Sequence, residues 1–310
     1  MKRIILLMVL IMGGLSYSND YAGDAAVYLR MGLGARAVGM GGAFVGLADD
    51  STAAYWNPAG LIQLEKSEVS LMYSALSLDR RYNFLNYAQP LTGDSALALS
   101  IINFGVGDLE ERTGATKDPI GKFTDSENTL LVSYAKAFKK ISYGGNLKVL
   151  YQSMDPSSGK KSGEGWGLDI ACLTNPANNV YAGLIIQDIG SYLKWDTGHT
   201  DKLPLDIRAG LCVKLLDKKL NLCADIEKIE ERDNVKAHLG AEYLIGDRFA
   251  IRAGLNSKDP TAGCSLNLPF SGAELGLHYA FSPDTFTAFD DDKGFTGDKY
   301  SHRVSLTIGF

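Results

Sequence analysis

From residue 67 to the C-terminus, apolar and polar positions alternate with a period of two, in short runs separated by turn residues. In the last run Val304, Leu306, Ile308 and Phe310 share one face, while Arg303, Ser305, Thr307 and Gly309 share the other. Ala273, Leu275, Leu277, Tyr279 and Phe281 likewise oppose Glu274, Gly276, His278 and Ala280. Ile207, Ala209, Leu211, Val213 and Leu215 oppose Arg208, Gly210, Cys212 and Lys214, and Leu220, Leu222, Ala224 and Ile226 oppose Asn221, Cys223, Asp225 and Glu227. Successive side chains of a strand point to opposite sides, so each run presents one greasy face and one small or charged face.

Such runs fall near 67–77, 82–91, 95–104, 127–138, 140–152, 163–173, 178–188, 204–216, 219–229, 236–245, 247–256, 261–268, 272–282 and 301–310. They make about fourteen strands, an even number as a single-chain bacterial barrel requires. Each is close to the length that a tilted membrane strand needs. A soluble β-sandwich also alternates, and the connections separate the two readings. With both ends of the wall in the periplasm, the connections near 92–94, 139, 174–177, 217–218, 246 and 269–271 are periplasmic, and all are short. On the other side 105–126, 153–162, 189–203 and 283–300 are long, with the hairpin at 78–81 as the short exception. Short periplasmic turns with longer external loops mark a barrel. The pattern therefore predicts an all-β fold, a transmembrane antiparallel β-barrel.

Composition changes this picture little. With 45% hydrophobic residues and a formal net charge of −5, the chain would pass for a soluble globular protein. A barrel offers lipid only alternate residues, which keeps the average neutral. No run of some 18 apolar residues exists, which excludes a helical span. No basic patch exists either, so nucleic acid is not an expected partner. At the start, Lys2 and Arg3 precede an apolar run at 4–12, Gly13 and Gly14 break it, and Ser16 and Ser18 precede a cut ahead of Asn19. That is the layout of a secretory signal peptide, and the run is too short to span a bilayer. Three parts are expected: a leader at 1–18 removed on export, an N-terminal segment at 19–66, and a wall at 67–310 set in outer-membrane lipid.

The N-terminal segment has no period of two. Between residues 32 and 61, Gly34, Gly39, Gly41 and Gly42 permit close backbone approach, and many alanines keep the segment thin. Asp49 and Asp50 can cap a short helix over 51–55. Pro58 stops it, and Asn57, Pro58, Ala59 and Gly60 make a turn. A slim segment ending in a rigid turn suits the inside of a barrel.

Gly34, Ala35, Arg36, Ala37, Gly39, Gly41, Gly42, Ala43, Asp49, Asp50, Ala53, Asn57, Pro58, Ala59 and Gly60 together resemble the N-terminal signature of the FadL-like outer-membrane proteins. The resemblance is closest to the shorter PorV/PorQ family. It implies a fourteen-stranded barrel with a short helical N-terminal hatch in the lumen. Gly34, Arg36, Gly39, Gly41, Gly42, Asp49, Asp50, Asn57, Pro58 and Gly60 are then the hatch or gate candidates. Two functions are implied: passive or gated transport of a hydrophobic small molecule, or a secretion-accessory or structural barrel that docks a secreted protein. The final amphipathic strand, with Val304, Leu306, Ile308 and Phe310 in phase, resembles the signal read by barrel-assembly machinery, an expected partner.

Other chemistry has plain readings. Asp225, Glu227 and Glu242 could be read as glycosidase carboxylates. They fit better, with Arg208 and Arg252, as charges of a polar lumen. If Asp217 and Lys218 form a two-residue turn, Cys212 pairs with Cys223 and Arg208 with Glu227. Opposed cysteines in an oxidising compartment are candidates for a disulfide. Cys172 and Cys264 share the phase of their apolar neighbours, so a lipid-facing position is expected. Asp290, Asp291, Asp292, Gly294 and Asp298 partly resemble a calcium loop but lack its closing Glu, which leaves a solvated external loop. Cysteines and histidines are scattered, so no metal or cofactor is expected. No catalytic motif appears, and no enzyme activity is expected.

Overall fold

The computed structural model describes residues 24–284 and 300–310. The leader at 1–18 and the acidic run at 290–298 lie outside the described residues.

The wall strands are β1 (Glu68–Ala75), β2 (Arg80–Leu91), β3 (Ser95–Glu111), β4 (Gly121–Phe138), β5 (Ile141–Met154), β6 (Lys161–Ala177) and β7 (Val180–Trp195), then a short β8 (Thr200–Lys202). They continue with β9 (Asp206–Leu215), β10 (Leu220–Ile229), β11 (Val235–Ile245), β12 (Phe249–Asn256), β13 (Asp259–Phe270), β14 (Ala273–Pro283) and β15 (Tyr300–Gly309). From β1 to β7 and from β9 to β15 each strand pairs antiparallel with the next, β7 pairs with both β8 and β9, and β1 with β15 closes the ring. Setting aside β8, which only extends the outer end of β7, this is a closed barrel of fourteen strands. Closure matters because a backbone group left unpaired in hydrocarbon has no water to bond. Leu71, Leu85, Leu99, Val132, Leu147, Ile170, Ile251 and Leu277 are exposed on the outer face, against lipid. Exposed aromatics mark both interfaces: Tyr73, Trp166 and Tyr300 at the outer ends of their strands, Phe138, Phe249 and Phe270 at the periplasmic ends.

The hairpin between β9 and β10 turns through Asp217 and Lys218, with φ of 53° and 66°. It sets Cys223 opposite Cys212 and Glu227 opposite Arg208. Two stretches expected as long outer loops are largely ladder. β3 and β4 stay paired out to Glu111 and Gly121 after a register shift between Val106 and Leu109, and β7 runs on to Trp195, where β8 joins it. Above the lipid both faces of a strand are wet, so the alternation fades although the hydrogen bonds continue.

Residues 24–64 lie inside the barrel. They form a 3₁₀ turn (Val27–Arg30), α1 (Ala35–Gly39), α2 (Ala53–Trp56) and a 3₁₀ stretch (Pro58–Gln63). α2 begins two residues later than the sequence suggests. Asp50 Oδ1 accepts the Thr52 N–H at 2.9 Å, while Asp49 turns away to bond cations.

Candidate functional site

The hatch meets the wall at backbone distance. Inward-facing Gly144, Gly183, Gly210, Gly240 and Gly254 form a belt on which the hatch main chain rests, and Gly263 packs against Gly39. A Cβ on Gly240 would sit 2.6 Å from the Met40 carbonyl oxygen. On the hatch, Gly41 has φ 67°, and its Cβ would lie 2.6 Å from the Leu255 backbone. Only glycine combines that conformation with that approach. Sequence reasoning missed the wall glycines, although each stands in the inward phase of its strand and so carried a readable signal.

Two sectors of the wall hold the hatch by different means. From β2 to β5 the lining has a large apolar part, in which Tyr82, Phe84, Ile102, Phe104, Leu131 and Leu150 form one core with Tyr28, Leu33, Phe44, Tyr55, Trp56 and Leu61 of the hatch, beside polar groups such as Asn86 and Asn146 that bond hatch carbonyls. On this side the lumen is mixed, because its apolar residues face packed hatch rather than water.

From β9 to β12 the lining is ionic, and Arg36 of α1 is its hub. Its Nη1 donates to Asp49 at 2.7 Å and Asp50 at 2.9 Å, while Nε and Nη2 grip both oxygens of Glu242 at 2.9 and 2.8 Å. Glu242 stands opposite Arg252, whose Nε donates to it at 2.6 Å. Lys214 bonds Asp49 at 2.8 Å. Burial alone would raise the Asp49 carboxyl, but the Arg36 guanidinium and then the Lys214 ammonium hold it below the usual carboxylate range. Burial likewise opposes the charge on Arg36, and Asp49 and Glu242 override it, keeping the guanidinium firmly protonated.

Asp225 accepts the Phe44 and Val45 N–H groups at 2.8 Å each. Glu227 bonds Arg208 at 3.0 Å and His238 at 2.9 Å, and His238 reaches the Gly41 carbonyl at 3.0 Å. A second cluster was not singled out from sequence. Lys148 of β5 bonds Asp169 of β6 at 2.9 Å and Asp188 of β7 at 2.6 Å, with Arg30 of the hatch 3.8 Å from Asp188. Lys148 and Asp169 stand in the inward phase of their strands, but Asp188 shares the phase of outward Leu184 and Ile186 and is turned inward only by the register shifts between β6 and β7, where its φ is 63°.

The remaining hatch candidates are fasteners. The Gly34 N–H faces Met72 Sδ at 3.2 Å, and the Gly39 carbonyl accepts from Thr261 at 3.1 Å. Gly42 packs beside the Trp56 ring. Asn57 clips three segments: its Nδ2 donates to the Val45 and Cys172 carbonyls at 2.8 and 3.2 Å, and its Oδ1 accepts the Ala59 N–H at 3.1 Å. Pro58 opens the 3₁₀ stretch, and Gly60 lies against Ala48. Cys212 and Cys223 are buried, while Cys172 is half-buried and Cys264 exposed on the outer face. Val304, Leu306 and Ile308 pair with Tyr73, Leu71 and Val69 at the closing seam, and the Phe310 N–H donates to the Ser67 carbonyl at 2.9 Å.

At the periplasmic end the hatch leaves a polar basin of about 410 Å³, lined by Arg36, Asp49, Glu68, Lys218, Glu242 and Glu274. On the outer side a cavity of about 50 Å³ lies among Arg30, Trp56, Arg208 and His238.

Solved structures share this architecture. The toluene transporter TodX of Pseudomonas putida matches at 12% identity over 90% of this chain and 97% of its own, with a TM-score of 0.62. A FadL homologue of Pseudomonas aeruginosa matches at 11% identity over 88% and 97%, with a TM-score of 0.60. The toluene transporter TbuX of Ralstonia pickettii matches at 12% identity over 90% and 97%, with a TM-score of 0.59. At these identities the likeness establishes the fold, that of an outer-membrane barrel. No curated protein matches the sequence. The family model described as type IX secretion system protein PorV matches residues 19–231, more than half of the sequence, and the chain belongs to that family.

Proposed function

We propose that this barrel is a closed platform for protein secretion, which holds a secreted protein or a component of the machinery at its outer rim. One observation carries the reading: hatch main chain rests directly on wall glycines around the bore. A plug seated in this way, and bonded to buried charges as well, opposes passage through the lumen. The ribbons β3–β4 and β7–β8 stand beyond the lipid as surfaces for a protein. The family description, a type IX secretion system protein, points the same way. Export through a leader cleaved after residue 18 belongs to the proposal.

Deletion of the gene tests it. The expected result is retention of secreted proteins in the periplasm with toluene uptake unchanged, and a variant with residues 109–123 shortened to a tight turn reproduces the defect. Intact secretion with lost uptake would overturn the reading.

A second reading has its own support. The apolar sector from β2 to β5, with Leu76, Leu193 and Leu203 in the same core, suits a hydrophobic small molecule, the cargo class named for TodX. The hatch then acts as a gate, with Asn57 as its clip and Pro58 and Gly60 setting its turn. Asn57→Ala and Pro58→Ala barrels that insert normally with unaltered uptake would remove this reading.

A further inference from the structure

Cys212 on β9 and Cys223 on β10 stand directly opposite each other on the inner face of the wall. Their Sγ atoms are 2.6 Å apart, inside the contact distance of two unbonded sulfurs. Opposed residues of an antiparallel pair have Cα atoms about 4.5 or 5.5 Å apart, and both values fall in the range a disulfide spans. The barrel lies in an envelope whose periplasmic side is oxidising. We infer that Cys212 and Cys223 are joined by a disulfide in the mature protein, stapling the strip of wall on which the hatch hangs.

The position gives the bond its role. Two residues beyond Cys223, Asp225 holds the Phe44 and Val45 N–H groups. Gly46 packs on the Leu211 and Cys212 backbone, where its Cβ would sit 3.0 Å from the Cys212 nitrogen. The staple thus fixes β9 to β10 beneath the part of the hatch that enters the ionic sector.

The chemistry balances by thiol–disulfide exchange with a disulfide-bearing oxidant of the periplasm. One cysteine thiolate attacks the oxidant, forming a mixed disulfide and releasing one oxidant thiol. The second thiolate then attacks the first cysteine's sulfur and expels the other oxidant thiol. Two protons leave the cysteines, and the oxidant's disulfide takes up their two electrons. Both sulfurs are buried, at 0% and 3% exposure, in the seated barrel. Exchange therefore precedes seating of the hatch, and the finished bond is shielded from reductant.

Differential alkylation of the full-length protein in isolated outer membranes tests this. The protein is denatured with N-ethylmaleimide present and no reductant, then reduced and treated with a deuterated maleimide. Trypsin separates residues 209–214 from 220–228, so each cysteine is read in its own peptide. Cys212 and Cys223 are expected to carry the second label, and Cys172 and Cys264 the first. Without reduction the two peptides are expected as one linked species. First-label modification of Cys212 and Cys223 to the extent seen at Cys172, or a link from either to another cysteine, would overturn the inference. In Cys212→Ser, the Cys223 peptide is expected to shift wholly to the first label.

Discussion

The two sectors of the wall seat the same hatch by opposite physics. From β2 to β5 the contact is largely apolar and made of many weak attractions, so its strength follows the surface covered. From β9 to β12 it is a small number of buried charges centred on Arg36, each of which requires its partner. The apolar contacts yield gradually to damage. The ionic side is all or none at each pair. The difference teaches that one plug can be attached firmly on one flank and switchably on the other.

Arg36→Ala should have the largest effect. It strips a cation from Asp49, Asp50 and Glu242 and is expected to weaken hatch seating by about 3 kcal/mol, near the low end for a broken buried pair because Lys214 and Arg252 remain. Hydrogen exchange in residues 32–61 should quicken while the strand amides stay protected. Loss of protection in the strands as well would mean that the hatch and wall are one cooperative unit. Leu131→Ala attacks the other sector and is expected to cost about 2–3 kcal/mol through the cavity it leaves. It should change heat-modifiable mobility on gels without changing the salt dependence of hatch exchange. Asp225→Asn keeps the shape and removes the charge, for an expected loss of about 1.5 kcal/mol, seen as faster exchange at Phe44 and Val45 alone.

Acid gives the mildest test. Asp49 is held below its ordinary value of 3.8 in the folded protein, so its contribution is fully present above that value. It is lost as pH falls through the lower folded value. Protease access to the hatch should therefore rise only below about pH 4, and Asp49→Asn should flatten that part of the profile. An unchanged profile would remove Asp49 from the seating.

Much of the wall was legible in the sequence because lipid on one side imposes a strict period of two. The register at Cys212 and Cys223 was legible because a two-residue turn leaves no slack. The outer ribbons were not, since water on both faces removes the alternation that marks Ser95 to Phe104. In the hatch, burial on all sides erases periodicity, so Thr52 rather than Asp49 or Asp50 precedes α2. The meeting of Lys148, Asp169 and Asp188 was hidden for another reason. The inward phase of Lys148 and Asp169 is plain, but Asp188 reads as outward with Leu184 and Ile186, and only a bulge turns it inside.

The hatch also ties the beginning of the chain to its end. The Ala35 N–H donates to the Ser305 hydroxyl at 2.9 Å, and Arg303 donates to the Gly32 carbonyl. Residues 303 and 305 lie on β15, the strand that closes the ring on β1, so these hatch bonds are complete only when the ring is closed. Ring closure and plug seating are thus linked: a barrel closed without its hatch forgoes the bonds that Arg303, Asp225 and Glu242 make to Gly32, to Phe44 and Val45, and to Arg36. An unplugged barrel is thereby less stable than the plugged one by the sum of these bonds.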